Sequence, residues 1–236
     1  MAVRDVKLLS DGYFNIDYGL LIYGKTKYYG KVYKAALKPL LIVADDEYIL
    51  VDTGFGEPPE KVKKFYTREK TQDLATSLRE NDFSVDDISM VISTHLHLDH
   101  TGNNALFKNA RFIAQEEEIA YAANPDRFQK LAYLEDTFKA VTYEPVSGKC
   151  EIVKDVWVIP TPGHTPGHQS MVVNGIQKYV YCGDVCPLRE NYEQRNIVGV
   201  LHNSVQALES IDKLRGIGGF PIYSHDNEQM SLKQNH

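Results

Sequence analysis

Six consecutive positions, His95-Leu96-His97-Leu98-Asp99-His100, hold three of the chain's eight histidines and a carboxylate. They follow Ile88–Ser93, which reads as a short apolar strand, and precede Thr101-Gly102-Asn103. In an extended chain residues two apart point the same way, so His95, His97 and Asp99 share a side. A turn through Gly102 swings His100 round to join them. Neutral imidazole and carboxylate are ligands suited to zinc and related divalent ions. A solvated histidine run would extend from a polar segment, whereas this one abuts a core strand. The fold must therefore present the end of a buried strand to a place where further ligands arrive.

Three downstream segments supply them. His164 lies in Thr161-Pro162-Gly163-His164-Thr165-Pro166-Gly167-His168, a tight loop after the predicted strand Val156–Ile159. Asp184 follows Tyr179–Cys182, and His225 ends the predicted strand Pro221–Ser224. Each is weak alone. Their shared position at strand ends, where loops converge, makes them one set.

Further strands are predicted at Val3–Leu9, Tyr13–Tyr23, Leu40–Ala44, Tyr48–Val51, Arg111–Ala114 and Gln169–Val173, with an acidic turn at Asp45–Asp46. Helices are predicted near Thr71–Glu80, Gln115–Ala123, Asp126–Ala140 and Ser204–Arg215, with Asn124–Pro125 as a break. No repeat, low-complexity tract or Gly/Ser linker divides the 236 residues, which read as a single domain, 1–236. Strands in both halves, each followed by helices, imply two packed sheets with helices outside.

Composition narrows the partners. The chain carries 26 basic and 32 acidic side chains, a formal charge of −6, which argues against nucleic acid. Its longest aliphatic stretch, Leu40–Ala44, falls far short of the roughly 18–20 residues that span a bilayer. Arg4, Asp5 and Lys7 interrupt any apolar signal-peptide core. Cys150, Cys182 and Cys186 are too sparse for a disulfide scaffold, so the expected compartment is the reducing cytoplasm.

The set His95-x-His97-x-Asp99-His100, His164, Asp184 and His225 resembles the metallo-β-lactamase superfamily in its dinuclear hydrolase form. Ile49-Leu50-Val51-Asp52-Thr53-Gly54 resembles that family's first strand-end motif, and the likeness runs from about Leu40 to Gln229. The resemblance implies an α/β fold, the αββα four-layer sandwich, with two divalent metal ions in a cleft between the sheet edges. By position, His95, His97 and His164 would hold one metal; Asp99, His100 and His225 would hold the other; Asp184 would bridge them. Asp52 would support a metal-bound histidine and fix its tautomer. Zinc is the expected metal, and iron or manganese fits the same mixed nitrogen and oxygen set.

Two neighbouring cations can share a water and lower its pKa towards neutrality while one polarises a carbonyl or phosphoryl oxygen. No G-x-S-x-G elbow or Cys/His nucleophile signature is present. Asp99 is then the catalytic residue expected to orient the metal-bound hydroxide and pass a proton to the leaving oxygen. The segments around His164, Asp184 and His225 are most similar to the N-acyl-homoserine lactonase branch, which implies opening of a lactone or a related carboxylic ester as the small-molecule substrate. That branch commonly carries a tyrosine three residues after the bridging aspartate; here Pro187 stands there, and Tyr192 is five residues further on. One alternative is a glyoxalase II-like thioesterase, whose basic C-terminal region is represented here only by Lys233. Another is a diiron redox metalloprotein, a branch that generally has Glu where His97 stands and needs a flavin module.

Other features take plainer readings. Gly24–Lys34 interleaves Lys25, Lys27, Lys31 and Lys34 with Tyr28, Tyr29 and Tyr33, and is read as a lid or a homodimer contact over the cleft. Lys61, Lys63, Lys64, Arg68 and Lys70 read as a solvated helix face. Cys182 and Cys186 read as small buried residues, and His168 and His202 as hydrogen-bonded structural groups. Tyr121, Phe128, Tyr133 and Phe138 read as helix core, and only secondarily as an acyl-chain pocket.

Overall fold

A computed structural model describes residues 3–45 and 47–232 of the chain. Asp46 of the acidic turn and the C-terminal Lys233 lie outside the described residues. The first strands are β1 (Val3–Leu8), β2 (Tyr13–Asp17), β3 (Val32–Ala36), β4 (Leu40–Ala44), β5 (Glu47–Val51), β6 (Thr67–Glu69) and β7 (Met90–Ile92). They are followed by β8 (Arg111–Gln115), β9 (Tyr143–Val146), β10 (Cys150–Val153), β11 (Val156–Pro160), β12 (Gln169–Asn174), β13 (Lys178–Tyr181) and β14 (Phe220–Ile222). The α-helices are α1 (Glu60–Lys63), α2 (Leu74–Arg79), α3 (Leu98–Thr101), α4 (Glu116–Ala123), α5 (Glu135–Phe138), α6 (Arg189–Gln194) and α7 (Ser204–Ile217).

Six strands form one sheet in the order β1-β4-β5-β7-β8-β9, and five form a second in the order β10-β11-β12-β13-β14. The alternation of side chains along each strand explains the layers. From β4 and β5, Leu40, Ile42, Ile49 and Val51 face inward and pack with Val156, Val158, Met171 and Val173 of the second sheet. Their neighbours Leu41 and Leu50 face the other way, against Leu74 and Leu78 of α2. On the second sheet Val172 and Val180 turn outward onto Ile211 and Leu214 of α7. Helix, sheet, sheet, helix is thus the order of layers, and central strands read as unbroken apolar runs because both faces are covered. Each fully buried aliphatic side chain contributes about 1.5–3 kcal/mol.

The ends of the outer helices are specified locally. The Asn203 side chain accepts from the amides of Val205 and Gln206 at the start of α7, and Asp73 accepts from Thr76 at the start of α2.

Strand direction sets the position of the site. β5, β7, β8 and β9 run parallel, with Val51 beside Ile92 and Ile92 beside Ile113. β13 and β14 are also parallel, with Tyr181 beside Ile222. Parallel strands in register release their following loops at one edge. Asp52, His95, Asp184 and His225 all lie one to three residues beyond such strand ends.

Several sequence expectations need correction. The strand Tyr13–Tyr23 stops at Asp17, whose carboxylate accepts from the amides of Gly19 and Gly30 and turns the chain into a 3-10 turn at Tyr18–Leu20. The helix Asp126–Ala140 reduces to the single turn α5, because the preceding backbone serves other contacts: Ala132 accepts from the Leu98 amide, and Gln129 reaches the His164 carbonyl. Apart from these corrections, the Gly24–Lys34 segment lies in the connection from β2 to β3, and its Lys25 and Tyr28 bind Glu190 of α6. Four short strands, β3, β6, β9 and β10, were not anticipated, because lysines and glutamates interrupt their alternation.

Arg68 is likewise not on a solvated face. Its side chain is 7% exposed and donates to the fully buried Asp11 at 2.7 Å. The same carboxylate accepts from the amides of Phe55, Gly56 and Leu74. This pins the small β3-β2-β6 sheet to the loop after β5. Removing one partner of a buried ion pair leaves the other uncompensated, at about 3–5 kcal/mol. Asp11→Asn is therefore expected to lower the urea-unfolding free energy by about 3 kcal/mol. A loss below about 1 kcal/mol would show that the pair is solvated after all.

Among the described residues no helix is long and apolar enough to cross a membrane.

Candidate metal centre

Beyond β7 the chain leaves the sheet as Ser93-Thr94-His95, passes through His97 and enters α3, which carries Asp99 and His100. Asp52, just past β5, holds this segment in place. Its backbone is in the left-handed region (φ 59°), a conformation non-glycine residues keep only where the surroundings enforce it. One Asp52 oxygen accepts from the Thr94 amide at 2.7 Å. The other accepts from the Thr94 hydroxyl at 2.8 Å and lies 2.8 Å from His100 Nδ1. His95 Nδ1 in turn lies 3.1 Å from the Thr94 hydroxyl. One carboxylate thereby orients two imidazoles, each with its Nε2 turned away from it.

The second sheet delivers the remaining groups. His164 Nδ1 donates to the Val200 carbonyl at 2.7 Å, and His225 Nδ1 donates to the Ala36 carbonyl at 2.8 Å. Each bond commits the proton to Nδ1 and leaves the Nε2 lone pair free. Asp184 is placed by Gly183 (φ 58°), where a Cβ would stand 2.6 Å from His168 Nε2. His168 is the hydrogen-bonded structural group expected of it, since its Nε2 accepts from the Asp184 amide at 2.9 Å.

The result is two adjoining groups. His95, His97 and His164 form one, and Asp99, His100, Asp184 and His225 form the other; within each, the donor atoms lie within 4.8 Å of one another. His164 Nε2 is 3.2 Å from His95 Nε2 and 3.0 Å from His97 Nδ1. Asp184 spans the two: Oδ1 lies 3.3 Å from His100 Nε2 and 3.2 Å from His225 Nε2, and Oδ2 lies 3.7 Å from His164 Nε2. Asp99 Oδ2 is 3.4 Å from His225 Nε2, and its side chain is the most open of the seven at 15% exposed.

The two groups differ electrically. Burial, reinforced by the neighbouring imidazoles, lowers the pKa of His95 and His97 well below the usual histidine value, so both are neutral bases. Burial also opposes charge on His100 and His225, but Asp184 and the other nearby carboxylates outweigh it and raise both pKa values. Burial works against charge on Asp184, yet His225 and His100 hold it well below the carboxylate range. Among the described residues, His100 Nε2 and His225 Nε2 are buried and make no well-aligned hydrogen bond, with Asp184 Oδ1 near them at 3.3 and 3.2 Å. Such atoms need an explanation, and a shared cation facing the carboxylates supplies one. The donor set thus fits a pair of divalent metal ions.

Sequence reasoning missed two residues here. Glu118, in α4, is fully buried and was not separable from the exposed Glu116 and Glu117 beside it. It accepts from the Leu96 amide at 2.9 Å and the Tyr133 hydroxyl at 2.8 Å with one oxygen, and from the Thr165 hydroxyl at 2.6 Å with the other. The Gly167 amide also bonds it, and a Cβ at Gly167 would come within 2.1 Å of the Glu118 amide. Glu118 therefore ties the His95–His97 segment to the His164 loop across the two sheets. Tyr133, read as core, carries its ring against His97 at 4.6 Å. The second residue is Tyr66, which lines the cleft above the site. Tyr192 does not line that cleft; it packs with Tyr223 at 6.0 Å. Pro187 uses its carbonyl to accept from the His225 amide.

Comparison with known proteins agrees with this geometry. Residues 39–231 match the sequence model of the metallo-beta-lactamase superfamily. An N-acyl homoserine lactonase, AttM, of Rhizobium radiobacter is 31% identical over 157 residues, which cover 62% of this chain and 60% of that protein. The N-acyl homoserine lactonase AiiA of Bacillus thuringiensis subsp. kurstaki is 28% identical over 217 residues, 85% of each. Among solved structures, an N-acyl homoserine lactone hydrolase with the product N-hexanoyl-L-homoserine bound at its catalytic metal center superposes with a TM-score of 0.84. It is 26% identical and covers 97% of this chain and 96% of its own. With the αββα layers and both donor groups in place, the chain belongs to the metallo-β-lactamase superfamily.

Proposed function

We propose that this protein is a dinuclear metal-dependent hydrolase that opens the ring of a lactone, with N-acyl-homoserine lactones as the substrate class. The observation that carries the proposal is the pair of converging donor groups joined by Asp184 at the base of an apolar cleft. The relatives named as N-acyl homoserine lactonases support the choice of substrate. So does the cleft, whose walls include Phe14, Leu20, Leu21, Val198 and Val200 and match an acyl chain better than a charged substrate.

His95, His97 and His164 would hold one metal, and Asp99, His100 and His225 the other, with Asp184 between them and Asp52 behind His100. Zinc suits this nitrogen-rich set, and iron or manganese is compatible with it. When bound, the metal pair supplies a Lewis acid for the ester carbonyl and makes water acidic enough to attack near neutral pH. The chain's own residues do the rest. Apolar walls keep bulk water from the acyl portion. His164 and His225, fixed through Nδ1 by backbone carbonyls, hold the donor geometry without reorganising. The Asp99 carboxylate, open to the cleft, takes a proton from the attacking water and returns it to the ring oxygen as the ester C–O bond breaks. The product is an open-chain hydroxy acid, with one water consumed. We further propose that residues 1–236 work as one domain and that the protein acts in the cytoplasm, a setting compatible with its free cysteines.

Two outcomes test this reading. Metal-loaded protein is expected to open N-acyl-homoserine lactones, and Asp99→Asn is expected to reduce kcat by roughly 10²–10⁴-fold. Turnover unaffected by a chelator, or equal in the variant, would refute the mechanism. Glu118→Gln removes an acceptor from the tie between the ligand-bearing loops. It is expected to weaken one of the two metals by roughly 10–100-fold in a chelator-competition titration, leaving the other unchanged. Equal affinities in variant and wild type would show that Glu118 does not position the three-histidine group.

A further inference from the structure

The cleft above the site is lined by the donor groups themselves and by apolar side chains, with one exception. Among the described residues, Tyr66 is the one lining residue outside the two donor groups that carries a polar side-chain atom. Ligand sites of this kind fix orientation with a few placed polar groups in an apolar wall, so an isolated phenol there is informative.

Its position is enforced from three sides. The Tyr66 amide donates to the Val62 carbonyl at 3.0 Å, and the next residues enter β6, which pairs with β2. Arg68, two residues on, is locked to Asp11. The ring meets Phe14 edge-on at 6.2 Å and Phe55 at 6.5 Å, and Phe14 in turn packs edge-on against His225 at 5.4 Å. Tyr66 is half-buried, and among the described residues its hydroxyl has no hydrogen-bond partner. The other tyrosines whose hydroxyls are hydrogen-bonded, such as Tyr133 and Tyr181, spend that donor on Glu118 and the Lys38 carbonyl. A phenol keeps its proton near neutral pH, and burial holds that of Tyr66 more firmly still, so it remains a donor.

We infer that Tyr66 binds the substrate directly, donating its phenolic hydrogen to a carbonyl oxygen of the acyl compound held in the cleft. This rests on the lactone reading above and adds to it a residue that selects for a carbonyl acceptor over a purely apolar guest. A partner group on the substrate satisfies the phenol, whereas a hydrocarbon alone would bury it unpaired.

The test compares wild type, Tyr66→Phe and Tyr192→Phe, all metal-loaded, with two readouts. One is turnover of N-hexanoyl-homoserine lactone; the other is calorimetric affinity for the ring-opened N-hexanoyl-homoserine, which needs no chemistry. Tyr66→Phe is expected to lower kcat/KM and product affinity each by roughly tenfold, with metal content unchanged and Tyr192→Phe like wild type. A fall in kcat places the bond on the ring carbonyl, and a rise in KM places it on the amide carbonyl. Unchanged kcat/KM and affinity in an active wild type would overturn the role of Tyr66 while leaving the lactonase reading intact. A wild type that leaves lactones intact, yet binds the hydroxy acid more tightly than Tyr66→Phe does, would overturn the reaction and keep the role. A wild type that neither reacts nor binds would overturn both.

Discussion

Seven ionisable side chains, five imidazoles and two carboxylates, converge in a space largely closed to water. Such a cluster is unfavourable unless positive charge enters it, because the two carboxylates are buried side by side and, among the described residues, His100 and His225 turn only poorly aligned nitrogens towards them. The remainder of the structure serves to hold these groups close against their own repulsion and desolvation. Asp52 and Glu118 do so on the side of the first sheet, and Ser224, which donates to Asp184 at 2.6 Å, does so on the side of the second. Preorganisation of this kind is what a metal pair requires, since ligands that must first reorganise bind weakly.

The layer architecture explains how such distant residues meet. Parallel strands in each sheet deliver their loops to one edge, and packing the sheets face to face brings both edges together. Gln169 joins them directly: its amide donates to the Thr94 carbonyl at 2.9 Å, and its side chain donates to the Ser93 carbonyl at 2.8 Å. A shift of one sheet against the other would therefore disturb His95 and Asp184 together. The apolar core between the sheets and the polar site at their edge are consequences of the same alternation along the strands.

Much of this was legible in the sequence, for physical reasons. The β4, β5, β11 and β12 runs are apolar on both faces, so their strand character survives any local ambiguity. The histidine run is dense and abuts such a strand, which singled out His95, His97, Asp99 and His100; His164, Asp184 and His225 were legible only through their shared strand-end positions and the family resemblance. What escaped notice depends on long-range partners. Arg68 looks solvated until Asp11, 57 residues away, is placed beside it. Glu118 is one of three consecutive glutamates, and only the packing of α4 on the His164 loop distinguishes it. The Asp126–Ala140 segment has a helical pattern, but Ala132 and Gln129 are drawn into contacts with Leu98 and His164. Tyr66 sits in a charged stretch that gave no sign of facing a cleft.

The two donor groups are expected to hold two cations at once. Anomalous diffraction from crystals grown with a divalent transition metal locates them. Two peaks are expected, one among His95, His97 and His164 and one among Asp99, His100 and His225, with Asp184 between. A single peak at full occupancy, or none after reconstitution, would contradict a paired site.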